Sequence, residues 1–228
     1  MALGALGALG ALCGARAGAD EVPAAASRAA GAKSGTAAQA NPGGKTLLVL
    51  GDSLSAEYGL ARSSGWVALL TQQLAQDKLA VKVVNASISG DTTSGGRSRL
   101  PALLKQHKPS HLVIELGGND ALRGLATPMT RDNLVVMTRA AKSAGAQVML
   151  VGMQLPPNYG AHYGQDFSAM FAKVAADEKT ALVPFLLAGV ADAPQADRLF
   201  QPDRIHPTAE AHPRMLANVW VVMKPWLR

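Results

Sequence analysis

LVLGDSLSAEYG, residues Leu48 to Gly59, runs from a short apolar segment straight into Gly51, Asp52 and Ser53. The apolar residues are consecutive from Leu47 to Leu50 instead of alternating with polar ones, which is how a strand covered on both faces reads. The next residues are small and polar, with a glycine behind a serine. A serine there is either a turn residue or a nucleophile held at the rim of a sheet. The rest of the chain has to supply its partners.

From Lys45 onward, short apolar runs alternate with amphipathic segments. The expected strands are 46–50, 80–84, 112–116, 147–151 and 182–186. Between them, Trp66, Leu69, Leu70 and Leu74 recur at helical spacing, as do Phe167, Met170, Phe171 and Val174, and then Met215, Leu216, Val219 and Trp220. These stripes read as core. Pro101 is expected to open a helical turn, where its missing N–H costs nothing. Strand–helix alternation of this kind predicts an α/β fold: a single-domain, flavodoxin-like three-layer sandwich around a five-stranded parallel sheet.

Ligands of such sheets bind beyond the carboxyl ends of the strands. Small, polar and turn-forming residues gather at that edge: Gly51-Asp52-Ser53 after the first strand, NASISGDTTSGG (Asn85 to Gly96) after the second, GGND (Gly117 to Asp120) after the third and QLPPNYG (Gln154 to Gly160) after the fourth.

The chain has 228 residues, 48% of them hydrophobic and 17% charged, an ordinary globular balance. Its net charge of +6 comes from Lys and Arg scattered singly, so a nucleic-acid-binding stripe is not expected. No apolar run reaches the roughly 18 residues of a membrane-spanning helix. Residues 1–19 carry an apolar stretch from Ala2 to Cys13 followed by Ala17-Gly18-Ala19, and read as a secretory signal peptide without a basic n-region. Residues 20–44, rich in Ala, Gly, Ser and Pro, read as a flexible linker, leaving 45–228 as the folded domain. The only cysteine, Cys13, lies in the leader, so the domain has no disulfide, no thiolate nucleophile and no Cys-ligated zinc.

A serine hydroxyl needs a base within hydrogen-bond reach, and the base needs a third group to orient it. Of the five histidines, only His206 has an acid at a helpful short spacing, in PDRIHPT (Pro202 to Thr208), where Asp203 lies three residues earlier. Residues i and i+3 can meet in a tight turn, leaving the second ring nitrogen to face Ser53. Acyl transfer also needs donors aimed at an oxyanion. The candidates are the Gly90 N–H, the Asn119 side-chain amide and the Ser53 N–H, the last expected at the start of a helix. If a helix does follow Ser53, Glu57 shares its face. Asp52 reads as a local hydrogen-bonding residue, and Asp120 and Arg123 as loop residues without a role.

Ser53 in GDSLS, Gly90 in ISGD, Asn119 in GGND and His206 in DRIHP resemble, in order, the four blocks of the SGNH (GDSL) hydrolase superfamily. Longer stretches such as VVNASISGDT, ELGGNDALRG and LPPNYG resemble its bacterial periplasmic members of the thioesterase, lysophospholipase and arylesterase type. The resemblance implies Ser53 as nucleophile, His206 as base and then acid, and Asp203 as its orienting carboxylate. It also implies an oxyanion hole of the Ser53 N–H, Gly90 N–H and Asn119 side chain, with no metal and no cofactor. Leu122 and Leu125, in the loop from Ala121 to Pro128, and Pro156 and Tyr159 would border the acyl group.

The expected activity is hydrolysis of esters and thioesters of small acyl substrates, in the periplasm or outside the cell, by a monomer with no nucleic-acid partner and no membrane insertion. A carbohydrate O-acetylesterase and a non-catalytic lipid- or acyl-binding module are the alternatives. A dinucleotide-binding domain is excluded, because no G-x-G-x-x-G follows the first strand.

Overall fold

The computed structural model describes residues 44–227. The expected leader, 1–19, and the expected linker up to residue 43 lie outside the described residues. Five strands form where the apolar runs stand: β1 (Lys45–Gly51), β2 (Val81–Asn85), β3 (His111–Glu115), β4 (Gln147–Val151) and β5 (Ala181–Val183). All pair in parallel, in the order β2-β1-β3-β4-β5. Leu47 to Leu50 and Leu112 to Ile114 are almost completely buried, because helices cover both faces of the sheet. The three-layer, flavodoxin-like α/β fold is the one the alternation predicts.

The helices are α1 (Trp66–Gln76), α2 (Thr93–His107), α3 (Gly118–Leu122), α4 (Thr127–Ser143), α5 (Ala161–Asp177), α6 (Ala196–Leu199) and α7 (His212–Trp226). α1 packs with α7, while α4 packs with α2 and α5. Phe167, Met170, Phe171 and Val174 are buried as a stripe on α5, with the Phe167 and Phe171 rings edge to face at 5.3 Å. On α1, Trp66, Leu70 and Leu74 are buried; on α7, Met215 and Val219. Leu69, Leu216 and Trp220 sit only partly covered at the seam between these two helices. No helix among the described residues is long and apolar enough to cross a membrane.

Two sequence expectations give way here. Pro101 lies inside α2, not at a helix start. It removes one backbone bond to Arg97, and the helix continues because Pro101 and Arg97 both face solvent, where water can satisfy the freed carbonyl. β5 stops at Val183, three residues short of the expected end, because Pro184 has no N–H for the ladder. The chain then stays near β4 through a bond from the Leu186 N–H to the Gly152 carbonyl at 3.0 Å.

The order 2-1-3-4-5 has its switch point between β1 and β3, where successive connections leave in opposite directions and open a crevice. Ser53 follows β1 and Asn119 follows β3, so topology alone brings these two residues to the same crevice.

The start of α1 is held by a side chain from the other end of the domain. Buried His212 accepts the Trp66 N–H on Nδ1 at 2.9 Å, supplying the acceptor that Gly65 cannot. Burial holds its imidazole neutral, with a pKa down at about 4. The unfolded chain therefore takes up this proton near 6.5 and the fold only near 4, so acid favours unfolding between those values. Buried Asp52 and Glu115, whose pKa values are raised by folding, act in the opposite sense. The His212 contribution is thus read as a difference. Between about pH 7 and about pH 4.5 the wild type should lose more thermal stability than His212→Gln, whose amide accepts the same bond without titrating. Equal losses by circular dichroism would show that His212 does not titrate with unfolding.

Candidate active site

β1 ends on Gly51, paired across the sheet with Glu115 on β3. A Cβ at position 51 would lie 2.8 Å from both Glu115 Oε2 and Ser55 Oγ, so no side chain fits. Those atoms belong to a buried polar knot. Ser55 Oγ donates to Glu115 Oε2 at 2.7 Å and accepts Trp66 Nε1–H at 3.2 Å, and the Asp52 N–H points at the same carboxyl at 3.4 Å. Burial, and then the neighbouring negative charge of Asp52, push the Glu115 carboxyl well above the usual range. The chain leaves the sheet over this knot.

Ser53 does not start a helix. Bonds from the Ala56 N–H to the Asp52 carbonyl (2.9 Å) and from the Tyr58 N–H to the Ser53 carbonyl (3.3 Å) close a set of turns. Glu57, at φ +61°, breaks any helical continuation, and the first helix waits until Trp66. The Ser53 N–H therefore has no helix dipole behind it. Nor does Glu57 share a helical face with Ser53: its carboxylate turns away to accept the Gly65 N–H at 2.8 Å and the Ser63 N–H at 3.1 Å. Its charge is felt by His212.

The segment after α6 brings His206 to the serine. Ser53 Oγ and His206 Nε2 are 2.9 Å apart, and His206 Nδ1 meets Asp203 Oδ2 at 2.7 Å. Asp203 Oδ1 accepts two backbone N–H groups, Ile205 at 2.9 Å and His206 at 3.0 Å. Hydrogen bonding from the backbone and ring of His206 lowers the Asp203 carboxyl to about 2. With the carboxylate on Nδ1, that nitrogen carries the proton and Nε2 is free to accept from the serine. The Tyr58 ring lies against the imidazole, with centroids 4.3 Å apart and planes tilted by 36°.

The three expected donors belong to separate segments: Ser53 follows β1, Gly90 follows β2 and Asn119 lies in α3. Asn119 is the second residue of α3, and Gly117 before it has φ +121°, a conformation that lets the chain turn sharply out of β3. Asn119 Nδ2 donates to Asp52 Oδ2 at 3.0 Å, and Asp52 Oδ1 accepts the Leu54 N–H at 3.1 Å. Asp52 is thus the local hydrogen-bonding residue expected, but it also reaches across the crevice to fix the Asn119 amide. It is 3% exposed, and burial pushes its pKa up to about 6. Gly90 has φ +77°, and among the described residues neither its N–H nor that of Ser53 donates to a protein acceptor.

Two residues read as loop positions without a role are structural members of the site. Asp120 is fully buried in α3, where it accepts the Thr93 N–H at 2.8 Å, the Thr93 hydroxyl, and the Thr130 hydroxyl at 3.3 Å. It anchors Asn119's helix to α2 and α4. Arg123 Nη2 donates to the Gly90 carbonyl at 2.9 Å and fixes that peptide. The Thr93 and Gly90 partners are 27 and 33 positions away in the chain, beyond the reach of local pattern.

The expected acyl-bordering residues are spread over two loops. Leu122 and Pro156 are exposed, and Leu125 and Tyr159 half-buried. Tyr163 Oη donates to the Leu125 carbonyl at 3.0 Å and ties the α3–α4 loop to α5. Among the described residues, no hydrogen bond or ring contact joins these four side chains to Ser53 or His206. Two surface concavities of about 360 Å³ each lie elsewhere, one at the opposite end of β4 and β5 and one between α1 and α7.

Comparison with known proteins shows the family. The profile of the GDSL-like Lipase/Acylhydrolase family matches residues 49–214. Esterase TesA of Pseudomonas aeruginosa is 55% identical over 183 residues, 80% of this chain and 90% of that protein. Thioesterase 1/protease 1/lysophospholipase L1 of Escherichia coli K12 is 46% identical over 168 residues, 74% of this chain and 78% of that protein. A crystal structure of TesA superposes with a TM-score of 0.77 at 54% identity, covering 81% of this chain and all of that one.

The anchoring of α3 can be tested without substrate. Asp120→Ala leaves a buried N–H and two hydroxyls without their acceptor, and should lower the free energy of unfolding in urea by about 3 kcal/mol. A loss under about 1 kcal/mol would mean that solvent or a neighbour replaces the carboxylate.

Proposed function

The chain belongs to the GDSL-like lipase and acylhydrolase family and is an ester and thioester hydrolase, and from that premise we propose that Ser53, His206 and Asp203 carry the reaction. The single observation behind this assignment is the continuous line Ser53 Oγ–His206 Nε2, His206 Nδ1–Asp203 Oδ2, at 2.9 and 2.7 Å.

In this reading His206 Nε2 takes the Ser53 proton as Oγ attacks the acyl carbon. The carbonyl oxygen becomes an oxyanion and accepts hydrogen bonds from the Ser53 N–H, the Gly90 N–H and the second N–H of Asn119 Nδ2. Collapse of this intermediate breaks the bond to the alcohol or thiol, which leaves with the proton from His206. Water then attacks the acyl-enzyme, His206 accepts its proton, and the carboxylic acid departs as Ser53 regains hydrogen. Asp203 stays ionised throughout, since its pKa is far below neutrality, and stabilises the imidazolium that forms twice per cycle.

Asp52 sets which end of the Asn119 side chain faces the substrate. Its carboxylate accepts one amide N–H, which places the NH₂ group on the crevice side. Leu122, Leu125, Pro156 and Tyr159 border the acyl chain in the same reading. An exported monomer, freed of its leader, would meet acyl esters and thioesters outside the cytoplasm.

Hydrolysis of p-nitrophenyl esters and acyl-CoA thioesters of graded chain length tests the assignment. Ser53→Ala should abolish turnover and leave the circular dichroism spectrum unchanged. Asn119→Ala should lower kcat roughly a hundredfold or more. A drop of only a few-fold would make Asn119 a turn residue and nothing more. Activity confined to acetyl esters would point to short-chain substrates. Because Asp203 is ionised down to about 2, any acid loss of kcat above pH 4 must survive in Asp203→Asn, at lower absolute rate.

A further inference from the structure

The serine and histidine segments come from opposite ends of the fold, 153 positions apart. Among the described residues, two hydrogen bonds cross from the turns at 52–59 to the segment at 201–208. One is Ser53–His206 itself. The other comes from Gln201, whose Nε2 donates to the Tyr58 carbonyl at 2.9 Å and to the Pro207 carbonyl at 3.1 Å. The Gln201 N–H also donates to the His206 carbonyl at 2.7 Å, and its own carbonyl accepts the Arg204 N–H at 2.9 Å. The residue therefore closes the loop that carries Asp203 and His206 from the inside, and fastens that loop to the serine turn from the outside.

The serine turn is shaped to receive it. Gly59 has φ +70°, and a Cβ there would overlap Gln201 Oε1. Gly59 leaves the space that the Gln201 amide occupies. The Tyr58 carbonyl that Gln201 holds belongs to the same residue whose ring rests on His206. One amide thus fixes the distance between nucleophile and base and the approach of the ring that flanks the base.

We propose that Gln201 is a positioning residue for the Ser53–His206 pair, holding the base in register with the nucleophile through the Tyr58 and Pro207 carbonyls. The proposal rests on the triad assignment. Near-attack geometry is sensitive to displacements of about an ångström, which can cost up to about a hundredfold in rate. The amide touches neither substrate nor the reacting atoms, so its loss acts on proton transfer and not on binding.

The test compares wild type, Ser53→Ala, Gln201→Met and Gln201→Glu, each first checked for native circular dichroism and melting temperature. Gln201→Met keeps the length and removes the donors. With p-nitrophenyl butyrate it should lower kcat about tenfold and leave KM within about twofold. The rate at which Ser53 is phosphonylated by a p-nitrophenyl alkylphosphonate should fall in parallel, since that single step needs the same base and no deacylation. In it Ser53 Oγ bonds phosphorus, p-nitrophenolate leaves and His206 takes the proton.

Gln201→Glu keeps the shape. It should be impaired where its carboxyl is ionised and regain activity relative to wild type towards acid, where a carboxylic acid offers one donor again. A kcat within about twofold of wild type in both variants overturns the proposal. So does a rise in KM at unchanged kcat, which would make Gln201 a substrate contact. If Ser53→Ala retained turnover, the triad assignment itself would fall, an outcome separate from either of these.

Discussion

Asp52 is a carboxyl group cut off from water, and each of its oxygens holds a different part of the site. Oδ1 fixes the turn that presents Ser53; Oδ2 fixes the amide of Asn119 across the crevice. A buried carboxylate is costly unless donors satisfy it, and here the donors are the Leu54 N–H and the Asn119 amide. Burial and the charge of Asp52 hold the neighbouring Glu115 carboxyl well above the usual carboxylate range. Order at the strand end follows from this constraint. Gly51 must be glycine because the Glu115–Ser55 knot fills the space beside it, and the chain can only leave the sheet upward, into the serine turn.

The Asp203–His206 pair is secured differently. Asp203 is more than a third exposed, so burial does not enforce its position; hydrogen bonds do. Two backbone N–H groups and the imidazole converge on it from its own tight turn. The two halves of the site therefore use opposite strategies. Desolvation stiffens the side of Ser53 and Asn119, where a displaced donor would cost the most in the proposed reaction. Local backbone geometry stiffens the histidine side, which must let protons and leaving groups pass.

Much of this is legible in the chain, and the failures have physical causes. The middles of β1, β3 and β4 are apolar at consecutive positions because both faces are covered, and that pattern is hard to mistake. The order of small polar clusters after the strands marks the crevice, and the i,i+3 spacing of Asp203 and His206 marks their pair. The helix expected after Ser53 fails because Glu57 adopts a left-handed conformation, which residue type alone does not announce. Pro184 and Pro101 are both exposed and yet act differently: the first ends a strand because it meets a sheet ladder, while the second leaves its helix running. Asp120, Arg123 and Gln201 escape a reading of the sequence for one reason. What they do depends on a carbonyl or N–H far along the chain, and periodicity carries no information about such pairs.

The packing of α1 against α7 has a consequence for how the molecule is made. The serine turn leaves the ribosome early, soon followed by the central strands, while His206 and α7 emerge after all five strands. A growing chain can build most of the sheet with Ser53 in place and no His206 beside it. Trp66 meanwhile waits for His212 to complete the start of α1. Under the proposed triad, hydrolytic competence therefore arrives with His206 and α7, and a still-emerging chain holds its serine silent.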